Sequence, residues 1–170
     1  MSPLARAWIA CPLALAMHGS GAQQVRTPLQ PTRMTPAAIA AHPALGAIAG
    51  TSGLAGIRTV VLAGDPARPG AYAIELLVPP HTRIDAHTHR DDRTAVVVSG
   101  TWHFGYGGLA DDAGATSLGP GSFYTEPANT PHFAHTGNEA VAVIISGNGP
   151  TDTHYVARPG DNAAFHRNRP

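Results

Sequence analysis

Lysine is absent from the sequence and cysteine occurs once, at position 11. All 11 basic residues are therefore arginines, so the chain has no side-chain amine for Schiff-base chemistry and no lysine for a phosphate-binding loop. Charged residues make up only 13% and aromatic residues 6%, and no segment reaches the roughly 20 consecutive apolar residues of a membrane-spanning helix. Basic runs are also missing, which argues against nucleic acid as a partner. No Gly-x-Ser-x-Gly elbow occurs. The one Gly-Thr-Ser-Gly, at 50–53, lies in a loose arm, and the serine-hydrolase class is set aside.

The first 22 residues have the pattern of a secretory signal peptide: Arg6 supplies the positive start, Ala7 to Met17 the apolar stretch, and Ser20-Gly21-Ala22 the small residues of a cleavage site. Cys11, preceded by Trp8-Ile9-Ala10, is a poor lipidation site. The expectation is a protein exported to the periplasm or secreted, soluble after cleavage, without a thiol or a disulfide, and stabilised by packing alone. Cleavage leaves 10 arginines against 11 acidic residues, and nine of the ten histidines.

Residues 23–56 are rich in Ala, Pro, Gly and Thr and read as an N-terminal arm, with Thr35-Pro36 starting one short helix through Ala41. From Ile57 short β-type runs follow at 58–62, 71–78, 94–99, 101–106, 121–126, 131–136 and 140–146. Turn residues separate them, as at Pro79-Pro80, Ser99-Gly100 and Gly119-Pro120-Gly121. Seven or more short strands at this spacing predict an all-β sandwich or barrel over 57–156, followed by a tail at 157–170.

His87-Thr88-His89 is the strongest chemical signal, because residues i and i+2 of a strand project to one face and bring two imidazoles together. Twenty residues after Ser99-Gly100 comes Gly121-Ser-Phe-Tyr-Thr-Glu-Pro127-Ala-Asn129-Thr-Pro131-His132. This pair of segments resembles the two motifs of the cupin superfamily, with His87, His89, Gly100, Gly121, Pro127 and His132 on matching positions. The resemblance covers about residues 57–156 and implies a cupin-type double-stranded β-helix, or jelly-roll barrel, that holds one divalent metal with His87, His89 and His132. It also implies a homodimer.

Four positions depart from the family pattern. Arg93 stands where the family has a glutamate ligand, His81 and Asn129 where it has glycines, and Thr136 where it has an asparagine. Arg93 cannot ligate a cation. Three readings are open: a three-histidine site with Arg93 as anchor for an anionic substrate, a substitute oxygen ligand from Asp91, Asp92 or Glu126, or a decayed site whose histidines only line the barrel.

The remaining candidates have plain structural readings. His103 is expected as a hydrogen-bonded strand histidine, His135 as facing away from His132, and His81 as a turn residue. Asp85, Asp91 and Asp92 read as solvated loop charges, and Trp102 and Tyr124 as aromatic core rather than pocket wall.

Neutral imidazoles suit Fe, Mn, Ni, Cu or Zn alike. The expected function is a metal-dependent small-molecule enzyme, a dioxygenase or related oxidoreductase or isomerase acting on a small organic anion. The alternative is a non-enzymatic barrel that binds a metal or a small ligand outside the cytoplasm.

Overall fold

The computed structural model of the chain describes residues 26–157. The expected signal peptide at 1–22, and the tail beyond residue 157, lie outside the described residues. No helix among them is long and apolar enough to cross a membrane.

The one α-helix among the described residues, α1 (Pro36–Ala41), forms where the sequence calls for it. Thr35 Oγ1 accepts the Ala38 N–H at 3.2 Å, and Pro36 occupies the first turn, where a missing N–H costs nothing. The helix stops at His42, whose extended conformation is the one that the following Pro43 requires.

Ten strands follow: β1 (Arg58–Ala63), β2 (Gly70–Val78), β3 (Arg83–Thr88), β4 (Arg93–Ser99), β5 (Trp102–Tyr106), β6 (Thr116–Leu118), β7 (Phe123–Glu126), β8 (His132–Thr136), β9 (Val141–Gly149) and β10 (His154–Tyr155). The seven expected runs are all strands. β3 was not among them, since only Ile84 and Ala86 mark its inner face between charged residues, and β6 and β10 are too short to show a period.

The strands form two five-stranded antiparallel sheets, ordered β1-β2-β9-β4-β7 and β10-β3-β8-β5-β6. In β4 the period-2 pattern is plain: Arg93, Ala95 and Val97 are buried, while Thr94, Val96 and Val98 face outward. Ile74, Val97 and Val143 from the first sheet are fully buried and meet Ile84, Trp102, Phe104 and Ala134 from the second. Each such aliphatic side chain contributes about 1.5–3 kcal/mol through burial.

His81 and Asn129 both adopt positive φ, at 55° and 58°. At these two places the backbone keeps a left-handed turn with a side chain present. The arm also does more than precede the barrel. Leu45 bridges Thr59 through two backbone hydrogen bonds of 2.7 and 2.8 Å, and Ile48 and Leu54 pack on the core. This places the 48–54 segment against the interior of the barrel.

Candidate metal centre

His87 lies in β3, His89 just beyond its end, and His132 starts β8, the strand that pairs with β3 and sets His87 opposite His132. The three side chains are buried, and one ligand nitrogen from each lies within 4.8 Å of the other two. The spacing of two residues between His87 and His89 and the β3–β8 register together bring these rings to one point.

The other ring nitrogens orient them. His87 Nδ1 meets the Asp85 carbonyl at 2.7 Å, His132 Nδ1 the Thr130 carbonyl at 2.9 Å, and His89 Nδ1 the Asp152 carbonyl at 2.5 Å. A carbonyl only accepts, so each Nδ1 carries the proton and each Nε2 presents its lone pair. This is the arrangement that prepares histidines for a metal. His132 Nε2 is buried without a hydrogen-bond partner. Burial, reinforced by the neighbouring His132, pushes the His87 pKa down to about 4. Burial and then the Arg93 charge push His89 down to about 3, and burial lowers His132 as well. All three are neutral at pH 7 and fit a divalent transition metal.

Arg93 and Glu126 complete the centre. They are register partners across β4 and β7 and are both buried. Arg93 Nε donates to Glu126 Oε2 at 2.6 Å and Nη1 to the Gly50 carbonyl at 2.6 Å, while Nη2 reaches both Glu126 Oε2 and His89 Nε2. Burial pushes the Glu126 carboxyl up, but the charge of Arg93, the neighbouring His132 and His89, and the hydrogen bond from Arg93 together outweigh it and hold the group below the usual carboxylate range. Glu126 Oε2 also lies 3.8 Å from His89 Nε2 and from His132 Nε2. Of the three oxygen donors weighed from sequence, Glu126 is the one beside the histidines.

Asp91 is not a solvated loop charge. It is buried and accepts the Tyr72 hydroxyl at 2.9 Å, because β2 brings the phenol beneath it. Asp92 is exposed and accepts the Ala128 N–H, and Asp85 contributes its carbonyl to His87. His103 and His135 stack on the opposite face of the second sheet, 4.5 Å apart and away from the centre, with His103 Nδ1 3.0 Å from Ser117 Oγ. His81 sits in the turn before β3. Trp102 and Tyr124 are core residues that also line the chamber.

The chamber is small. Besides His87, His132, Arg93 and Glu126 its walls include Trp102 and Tyr124, with Gly50 and Ser52 of the arm across it, and its volume is about 20 Å³. That is room for about one water-sized group.

No family model matches the chain, and no curated protein matches it in sequence. Solved structures do match in shape. The polyketide cyclase RemF from Streptomyces resistomycificus is similar over 81% of this chain and 94% of its own, at 17% identity and a TM-score of 0.61. A structure of the DMSP lyases RdDddP and RnDddQII is similar over 59% of this chain, at 20% identity and a TM-score of 0.50. The chain spans about half, 53%, of that lyase chain. An RmlC-like cupin from Shewanella frigidimarina is 18% identical over 55% of this chain and 76% of its own, with a TM-score of 0.46. The chain has the cupin fold.

In this cupin barrel the three histidines converge in the interior, with Arg93 where the family's motif has glutamate and a glutamate on the adjacent strand. Identities this low establish the fold alone, and a lyase and a cyclase on one architecture show that the fold does not choose the chemistry.

Proposed function

We propose that this cupin binds one divalent transition metal through His87, His89 and His132 and acts as an enzyme on a small organic anion. The observation that carries the reading is the set of three Nδ1-to-carbonyl hydrogen bonds, which turns three Nε2 lone pairs inward, with Arg93 Nη2 resting on that of His89. A metal held there supplies Lewis acidity and, if redox-active, the reactivity toward O₂ that a dioxygenase needs.

The chain's own groups set the conditions. The apolar walls exclude bulk water, and the Glu126 carboxylate balances part of the positive charge of the centre. For Arg93 to anchor an anionic substrate, the incoming group takes the place of the Gly50 carbonyl on Nη1 while Glu126 keeps Nε. An organic substrate therefore requires the 48–54 segment to move.

The test compares metal-loaded wild type with His132→Ala on a set of small carboxylates, phenols and diketones, following oxygen uptake and products by mass spectrometry. Turnover in the wild type that the variant lacks is expected. Metal binding with no change in any compound contradicts the enzymatic reading. It would favour a non-enzymatic metal- or ligand-binding barrel, which the chamber of about 20 Å³ also suits.

A further inference from the structure

Away from the metal centre, a second carboxylate is covered. Glu75 lies in β2 between Ile74 and Leu76, which point into the core, so its own side chain belongs to the outer face of the first sheet. There it is only 7% exposed, and no hydrogen bond or ion pair joins it to another described residue. Its register partners are aliphatic, Val60 on β1 and Ile144 on β9. Burial pushes the Glu75 carboxyl up, and no neighbouring charge opposes the shift.

The cover over Glu75 is incomplete. None of the six residues of α1 is buried, so the helix does not close on the sheet beneath it. Between the two runs a groove of about 490 Å³, with Met34, Ile39, Leu77, Val98 and Ile144 as aliphatic walls and Glu75 in its lining. A concave apolar surface of this size with few polar groups is what a small-molecule site requires. Arg58, His42 and Ser99 also line it, but Arg58 is exposed and makes no ion pair with Glu75.

A carboxylate set among aliphatic side chains without a cation is disfavoured in its charged form. A ligand with an ammonium group and an aliphatic body relieves this, because the cation meets Glu75 while the body covers Ile39, Leu77, Val98 and Ile144. No Phe, Tyr or Trp lines the groove, so the cation has no such ring to rest on and the carboxylate alone selects the charge. We infer that the groove between α1 and the outer face of the first sheet binds a small aliphatic amine, with Glu75 as the residue that takes its ammonium group. The site faces away from the three histidines and does not depend on the metal reading.

The test uses hexylammonium, with 1-hexanol as its uncharged counterpart, on protein with isotope-labelled isoleucine methyl groups. The signals of Ile39 and Ile144 report on the groove, and that of Ile84, in the core, is the control. Hexylammonium is expected to shift the first two in the wild type and to leave the third. Glu75→Gln, which keeps the shape and removes the charge, is expected to bind hexylammonium about tenfold or more weakly. 1-Hexanol is expected to bind both proteins alike, and more weakly than hexylammonium binds the wild type. Equal affinity of the two proteins for hexylammonium overturns the inference. A wild type that prefers 1-hexanol overturns it too, whether or not the variant folds. No shift at Ile39 and Ile144 in the wild type also overturns it, and a dimer in sedimentation would then identify a second copy as what covers the groove.

Discussion

Arg93 and Glu126 face each other across β4 and β7 as register partners, and the guanidinium joins the carboxylate at 2.6 Å through Nε while its Nη2 rests on His89 Nε2. The residue in the family's glutamate position is thus a cation, and the carboxylate stands one strand away. An internal cation occupies one of the three lone pairs that a metal needs.

Replacing Arg93 therefore has two opposite effects. In Arg93→Met the buried Glu126 carboxylate loses its partner, and the metal-free protein is expected to lose about 3–5 kcal/mol of stability. The competitor for His89 Nε2 is gone, so metal affinity rises and added metal restores the melting temperature. Denaturant unfolding with and without zinc checks this. Weaker metal binding in Arg93→Met would show that the arginine supports the centre.

The stability of the metal-free protein is expected to fall on acidification. His87 and His89 titrate near 4 and 3 in the folded chain, against about 6.5 when unfolded. As pH falls through 6.5 the unfolded chain takes up protons that the folded chain refuses. Stability is therefore full above that value and lost progressively down to about pH 4 and pH 3, at about 1.4 kcal/mol per unit for each histidine. Glu126, held below its ordinary range, adds a loss of the same sign at the acid end. Urea midpoints between pH 8 and pH 4 measure the slope, and a flat profile would contradict the buried neutral histidines.

The 48–54 segment is expected to control access. A Cβ at Gly50 would sit 2.3 Å from Thr151 Cγ2, and φ there is +75°. Gly50→Ala should lift the segment, remove the Gly50 acceptor from Arg93 and cost about 1–2 kcal/mol. Stopped-flow metal uptake should then be faster than in the wild type. An unchanged rate would mean that the metal enters elsewhere.

His81 and Asn129 hold left-handed turns that glycine takes without steric cost. His81→Gly and Asn129→Gly are each expected to stabilise the protein by up to about 1 kcal/mol, seen as a rise of a few degrees in melting temperature. A drop in either would show that the side chain contributes more than its backbone strain costs.

Much of this was legible in the sequence, for reasons that are local. Thr35-Pro36 announces α1, β-type runs between turn residues announce β2, β4 and β9, the i, i+2 spacing pairs His87 with His89, and the resemblance to the cupin motifs adds His132. What was not legible depends on register and backbone. Glu126 was only one of three candidate oxygen donors until the β4–β7 pairing set it against Arg93. Asp91 read as solvated because the Tyr72 hydroxyl that it accepts is 19 residues away on another strand. The Gly50 carbonyl has no side-chain signature at all, and neither do the carbonyls of Asp85, Thr130 and Asp152 that orient the rings.

Elemental analysis of untagged protein, with His87→Ala, His89→Ala and His132→Ala alongside, tests the central claim most directly. One equivalent of a single divalent transition metal in the wild type, lost or strongly reduced in each variant, is the predicted result. No metal in the wild type after reconstitution, or full retention in the variants, would contradict the three-histidine centre.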